Sequence, residues 1–391
     1  MLAHQGVVDE CWDDAIVPAI HRRFPHARPD ELERAHAFAY GGSHIADLGY
    51  FPFGSRLFTD LLHYVRSGDF VATLVESAGT VDEYAFALGA LSHYLTDDIG
   101  HPEATNVTVP ELYPKLRKEY GDSVTYDDDH GAHLQTEFRF DVLQVARTKQ
   151  ALDLYRHAVA FEVSKPLLER AFHQTYGIGL DDLFDDVDVA IRTYRWAFRE
   201  VVHEATGIAW ELYRADIEAI DPTTTPAGYV YDLSRADFEQ QFGKSFREPG
   251  YFAKFLAFLV KAVPNVGPFE RLPYKPLPPE AVQRFELARR HIVDRYRTTT
   301  RGLGLQRPAL PDDNLDTGRR TRRGEYDPAD HAYETLLEKL DDRHFANVPT
   351  ALRADILRFY EGENRVARTT DDHDDTLRRE LAQLAAASAD E

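Results

Sequence analysis

Apolar residues recur at three- and four-residue steps along nearly the whole chain, and strict strand-like alternation is scarce. The pattern predicts helices over Val7–Phe24, Asp30–Ala39, Arg56–Ser67, Val81–Ile99 and Glu111–Tyr120. It predicts others over His130–Gln150, Ala151–Val163, Lys165–Tyr176, Leu180–Ala215, Tyr251–Val263, Pro279–Thr299, Ala329–Leu340 and Thr350–Glu361. No repeat of fixed period emerges. The expected fold class is all-α, a multi-helix bundle with a helical C-terminal extension.

The Val81–Ile99 stretch is apolar nearly all round, with Tyr84, Phe86, Leu88, Leu91, Leu95 and Ile99 spread over every face. Such a helix belongs in the interior. Thr80-Val-Asp-Glu83 is a capping-box pattern at its start, and Pro102 is expected to stop it just after His101. The polar residues of its second half form one stripe: His93, Asp97 and His101 at i, i+4 and i+8. Buried ionisable groups need partners. His133 and Glu137 repeat the i, i+4 spacing further on. Imidazole and carboxylate together are the donor set of a zinc ion that keeps positions open for water.

Further candidates lie upstream: His4 near the start, Asp47 in the segment GGSHIADLGY, and His63 in DLLHY. His130 competes with His133 for the ligand role. His44, three residues before Asp47, reads as a neighbour of the site. Asp98, Glu103 and Asp141 are candidates for orienting the histidines. The lone cysteine, Cys11, excludes an internal disulfide framework and a cysteine-based zinc site.

Composition narrows the partners. The 391 residues carry a formal net charge of −21, and 43% are hydrophobic. That is enough apolar material for a sizeable core, and the charge argues against non-specific binding to nucleic acid or anionic lipid, while bound zinc would reverse the sign locally and leave an anionic substrate open. No apolar run is long enough to cross a bilayer; Tyr251–Val266 comes nearest but holds two lysines and a proline. No secretory leader pattern precedes the fold. Residues 267–279 are proline-rich and read as a linker or strap. Residues 300–328 read as loop with a basic knot at Arg319–Arg323, taken as a solvated loop. The end of the chain reads as at most a frayed helix. The expected organisation is therefore a helical domain over 1–265, a linker and helical extension over 266–368, and a charged tail over 369–391.

The order His4, Asp47, His63, His93-x-x-x-Asp97, His101, His133-x-x-x-Glu137 resembles that of the bacterial zinc-dependent phospholipase C family, whose all-helical trinuclear fold fungal single-strand nucleases share. The resemblance covers roughly residues 1–205. It implies that Asp47, His63, His93 and Asp97 hold one zinc, and that His101, His133 and Glu137 hold a second. Asp97 would bridge to a third, completed by His4 and the N-terminal amine and carbonyl. Two or three Zn²⁺ ions are thus expected, with Asp47 and Asp97 as the catalytic carboxylates. The implied activity is phosphodiester hydrolysis of phospholipase C type, by a metal-bound hydroxide attacking the phosphorus of a phospholipid or other small phosphodiester. A single-strand nuclease or 3′-nucleotidase, and a non-catalytic metal-stabilised binding protein, are the alternatives. Secretion or a periplasmic location follows from the resemblance, with the cytoplasm as the alternative. Oligomeric state stays open. Two departures stand out. Met1, Leu2 and Ala3 precede His4 where the family begins with Trp, and Leu48 and Asp60 stand where choline-type enzymes carry Tyr and Phe.

Overall fold

Helix α6, Val81–Gly100, runs through the centre of the molecule. Its N-cap Thr80 accepts a hydrogen bond from the Glu83 amide, and fifteen of its twenty residues are buried. The N-terminal half holds further α-helices. They are α1 Leu2–Cys11, α2 Val17–Arg23, α3 Pro29–His44, α4 Arg56–Tyr64, α5 Ser67–Ser77, α7 Asn106–Leu112, α8 Pro114–Tyr120, α9 His130–Ala146, α10 Lys165–Tyr176, α11 Val187–Ile220 and the single turn α12 Pro226–Tyr229. The extension adds α13 Pro279–Gly302, a hairpin of β1 Asp313–Asn314 and β2 Arg319–Arg320, then α14 Asp327–Asp341, α15 Thr350–Glu361 and α16 Asp371–Ala386. The fold is all-α; the hairpin is the one sheet among the described residues. The computed structural model describes residues 2–147, 159–231, 277–303, 307–361 and 371–387, without the side chains of 371–374. The helix expected over Tyr251–Val263, most of that over Ala151–Val163, most of the proline-rich strap, the boundary at 265/266 and Met1 lie outside the described residues.

Helices α3 and α6 cross at backbone contact. A Cβ on Gly42 would fall 1.9 Å from the Phe86 carbonyl oxygen, and one on Gly89 would fall 1.9 Å from that of Ala39. Only glycine fits on either side. This crossing sets Ser43 and the 3₁₀ turn Ile45–Tyr50 against the polar stripe of α6.

Several expectations need correction. Pro102 does not end the helical path. The α-geometry stops at Gly100, but His101–Thr105 continues as a π-turn into α7. Proline at the second position of that turn removes an amide that the wider turn leaves without an intrahelical role. The run Arg56–Ser67 breaks at Val65–Arg66, where Arg66 adopts φ 52°, and a further helix, α5, follows. Pro114 splits Glu111–Tyr120 into the end of α7 and α8. The tail is more than a frayed end: α16 buries Leu377 and Leu384. Residues 300–328 contain the hairpin, which the loop-like composition concealed.

Candidate metal centre

All eight sequence candidates converge. Asp97, 3% exposed, sits at the middle. Its Oδ2 lies 3.0 Å from His93 Nε2 and 3.4 Å from His63 Nε2. Its Oδ1 lies 3.4 Å from His4 Nε2 and 3.6 Å from His101 Nε2. Asp47 Oδ1 is 3.8 Å from His63 Nε2. On the other side, Glu137 Oε1 is 2.8 Å from His101 Nε2 and 3.2 Å from His133 Nε2. Three groups have ligand atoms within 4.8 Å of one another: Asp47/His63/His93, His4/His93/Asp97 and His101/His133/Glu137.

Local structure explains the convergence. α6 presents His93 and Asp97 one turn apart, and His101 opens the π-turn that continues the same face. α9 supplies His133 and Glu137, its start fixed by Asp129, whose side chain accepts the Ala132 amide. His63 ends α4, and Asp47 sits in the 3₁₀ turn after α3. α1 lays the His4 ring on that of His93, with centroids 4.3 Å apart and planes 17° from parallel.

The tautomers are set by backbone carbonyls. His63 Nδ1 donates to the Thr59 carbonyl at 2.8 Å, His93 Nδ1 to that of Ser43 at 3.0 Å, and His101 Nδ1 to that of Leu315 at 3.0 Å. A carbonyl only accepts, so each Nδ1 carries a proton and each ring turns its Nε2 inward. His63 and His93 then face each other Nε2 to Nε2 at 3.2 Å. Two such nitrogens at that distance need a proton or another cation before them, and imidazoles held by their outer nitrogens in this way suit a metal site.

Charges within the centre reinforce one another. Burial alone would raise the Asp97 carboxyl, but His93, His101 and His4 reverse that and hold it well below the usual range. Glu137 is likewise held low, against burial, by His133 and His101. Burial opposes a charge on His93 and His101, yet Asp97 with its neighbours pushes them up to about 9 and about 10. Burial drives His4 well down. It lifts the Asp47 carboxyl above its ordinary value, against the pull of His93 and His63.

The rival histidines point elsewhere. His130 is exposed and packs edge-on against Tyr126 at 4.2 Å. His44 is fully buried among Phe161, Tyr194 and Phe198. Of the expected orienting groups, Asp141 accepts the Ala3 amide at 3.0 Å, Glu103 pairs with His291 and Asp98 is pushed up to about 6 by burial. The orienting groups the sequence did not reveal are the Ser43, Thr59 and Leu315 carbonyls, together with Asp316. The Leu315 amide also donates to the His63 carbonyl at 3.0 Å. Asp316 is buried, with Oδ1 3.6 Å from His101 Nδ1. Its Oδ2 accepts the Tyr126 amide at 2.9 Å and the Tyr326 hydroxyl at 2.8 Å. Its one sequence signal is the turn-forming run Asp312-Asp-Asn-Leu-Asp-Thr-Gly318, where Gly318 adopts φ 63°.

A cavity of about 60 Å³ opens beside His4, Asp97, His101 and Glu137. Phe140 of α9 and Phe285, Ala288 and Ile292 of α13 give it an apolar wall.

An all-helical fold around a buried, shared histidine–carboxylate centre defines a class of helical metalloproteins. Residues 8–185 match the family described as zinc dependent phospholipase C, which bears out the resemblance over that span. Seven of the eight convergent residues fall inside it, and His4 lies just before it. No curated protein and no solved structure matched the chain significantly. No described helix is long and apolar enough to cross a membrane.

Proposed function

We propose that the chain is a zinc-dependent phosphodiester hydrolase of phospholipase C type, acting on a phospholipid or a related small phosphodiester. The observation that carries this reading is the set of three histidines whose Nδ1 protons are committed to carbonyls and whose Nε2 atoms converge on Asp97. Asp47, His63, His93 and Asp97 would hold one zinc, and His101, His133 and Glu137 a second. Asp97 and His4 would contribute to a third. Bound zinc supplies acidity to a water and positive charge beside the phosphoryl oxygens at neutral pH.

The chain's own residues do the rest. Asp97 offers one oxygen to His63 and His93 and the other to His4 and His101, so it ties the groups into one unit. Asp47, buried with Oδ1 3.8 Å from His63 Nε2, is placed to accept a hydrogen bond from a water at the centre. The carbonyls of Ser43, Thr59 and Leu315 keep three rings from turning, so the site is organised before substrate arrives. The apolar wall from α9 and α13 excludes water from one side and suits the lipid portion of a substrate.

The test is hydrolysis by purified protein of phosphatidylglycerol, phosphatidylcholine and single-stranded DNA, with and without 1,10-phenanthroline. Release of diacylglycerol that the chelator abolishes and added zinc restores is the expected result. Cleavage of DNA alone, or lipid cleavage indifferent to chelator, would overturn the proposal.

A further inference from the structure

Arg56, on the first turn of α4, reaches both halves of the centre through two tyrosine rings. Its guanidinium packs against two adjoining tyrosines, 5.1 Å from the Tyr50 ring and 5.4 Å from the Tyr126 ring. Those rings lean on ligand histidines of different groups: Tyr50 on His63, with centroids 6.0 Å apart, and Tyr126 on His133, at 5.6 Å. The two tyrosines are themselves 5.8 Å apart.

The fork of this guanidinium is only partly engaged. Nε donates to both oxygens of buried Asp60, at 2.9 and 3.1 Å, and Nη1 donates to the Tyr126 hydroxyl at 3.1 Å. Nη2 has no hydrogen bond among the described residues. The side chain keeps 45% of its surface exposed. A guanidinium packed on two rings and held along its Nε edge and at Nη1 has lost most of its rotamer freedom before it meets a ligand.

We propose that Arg56 sets the headgroup specificity of the metal centre, selecting a phosphodiester whose headgroup carries hydroxyl or anionic oxygens and no positive charge. This rests on the hydrolase reading for the reaction, but not for the binding. Nη2 offers a charge-assisted donor to such an oxygen. A quaternary ammonium gains nothing there: the tyrosine faces that attract cations are already turned to the guanidinium, and two cations side by side repel. Asp60 fixes the direction of the fork by holding Nε, which leaves Nη2 as the outward donor.

Two arms test it. Zinc-loaded wild type, Arg56→Gln and Arg56→Lys are compared in kcat/KM on phosphatidylglycerol and phosphatidylcholine. The same proteins are titrated with glycerol 3-phosphate and phosphocholine by calorimetry. The expected result is a wild-type preference for the glycerol compounds that Arg56→Gln lowers about tenfold, the worth of one hydrogen bond to a charged group. Arg56→Lys should keep part of it, and the phosphocholine values should hardly move. Selective binding without turnover on any lipid would sink the hydrolase reading and sustain this one. Equal wild-type affinity for both headgroups, or an unchanged preference in Arg56→Gln, overturns it.

Discussion

At the residue scale the centre depends on Asp97, because both of its oxygens are shared. Asp97→Asn keeps the shape but loses the charge that four imidazoles face. The expected outcome is loss of bound zinc by elemental analysis together with loss of hydrolysis. A variant with full zinc and full rate would show that the groups do not depend on this carboxylate. Asp316→Asn should act more mildly: the Leu315 carbonyl still holds the His101 ring, while the nearby negative charge is gone. Removal of such an outer partner weakens metal affinity about 10- to 100-fold. The direct readout is zinc loss in a chelator competition, with wild-type helicity retained. Five of the eight candidates, His93, Asp97, His101, His133 and Glu137, were legible because helical spacing puts them on one face, while His4, Asp47 and His63 were legible only through their order along the chain. The orienting carbonyls were not legible, because every residue has a carbonyl and only folding decides which one meets a ring 214 residues away in the case of Leu315 and His101.

At the element scale, the crossing of α3 over α6 fixes the geometry. Ser43 and Asp47 follow Gly42 on one side, and His93 follows Gly89 on the other. Gly89→Leu would drive a side chain into the Ala39 carbonyl and push the helices apart. Overpacking of this kind costs on the order of 1–3 kcal/mol, and here it also separates the Ser43 carbonyl from His93. The variant should melt at lower temperature and bind less zinc; unchanged melting and zinc content would show that the contact is adaptable. Helix existence was readable from periodicity, and Lys165–Tyr176 and Thr350–Glu361 appear with the expected bounds. Breaks were harder. The Val65–Arg66 kink carries no Gly or Pro, and its left-handed Arg66 is held by a distant partner, the Thr175 carbonyl, and by Asp69 three residues on. The π-turn at His101 has the same composition as a helix end.

At the scale of the whole molecule, the extension and the metal-bearing helices share one apolar core. Ile292, Val293 and Tyr296 of α13 pack with Leu88, Leu91 and Leu95 of α6, and the Tyr296 hydroxyl donates to the Leu88 carbonyl at 2.9 Å. The Tyr94 hydroxyl reaches the Pro311 carbonyl at 2.8 Å, and Arg22 Nη2 reaches that of Thr300 at 2.6 Å. The hairpin next to these contacts delivers Leu315 and Asp316 to the centre. Sequence showed where the composition changes, but not that the residues beyond return to brace the histidines, since such contacts have no local pattern.

The most direct test of the whole account is a crystal of the zinc-loaded protein with anomalous diffraction recorded at the zinc edge. Two or three peaks are expected, each within bonding distance of side chains drawn from His4, Asp47, His63, His93, Asp97, His101, His133 and Glu137. A zinc-free centre in protein grown with zinc, or peaks only at other residues, would contradict it.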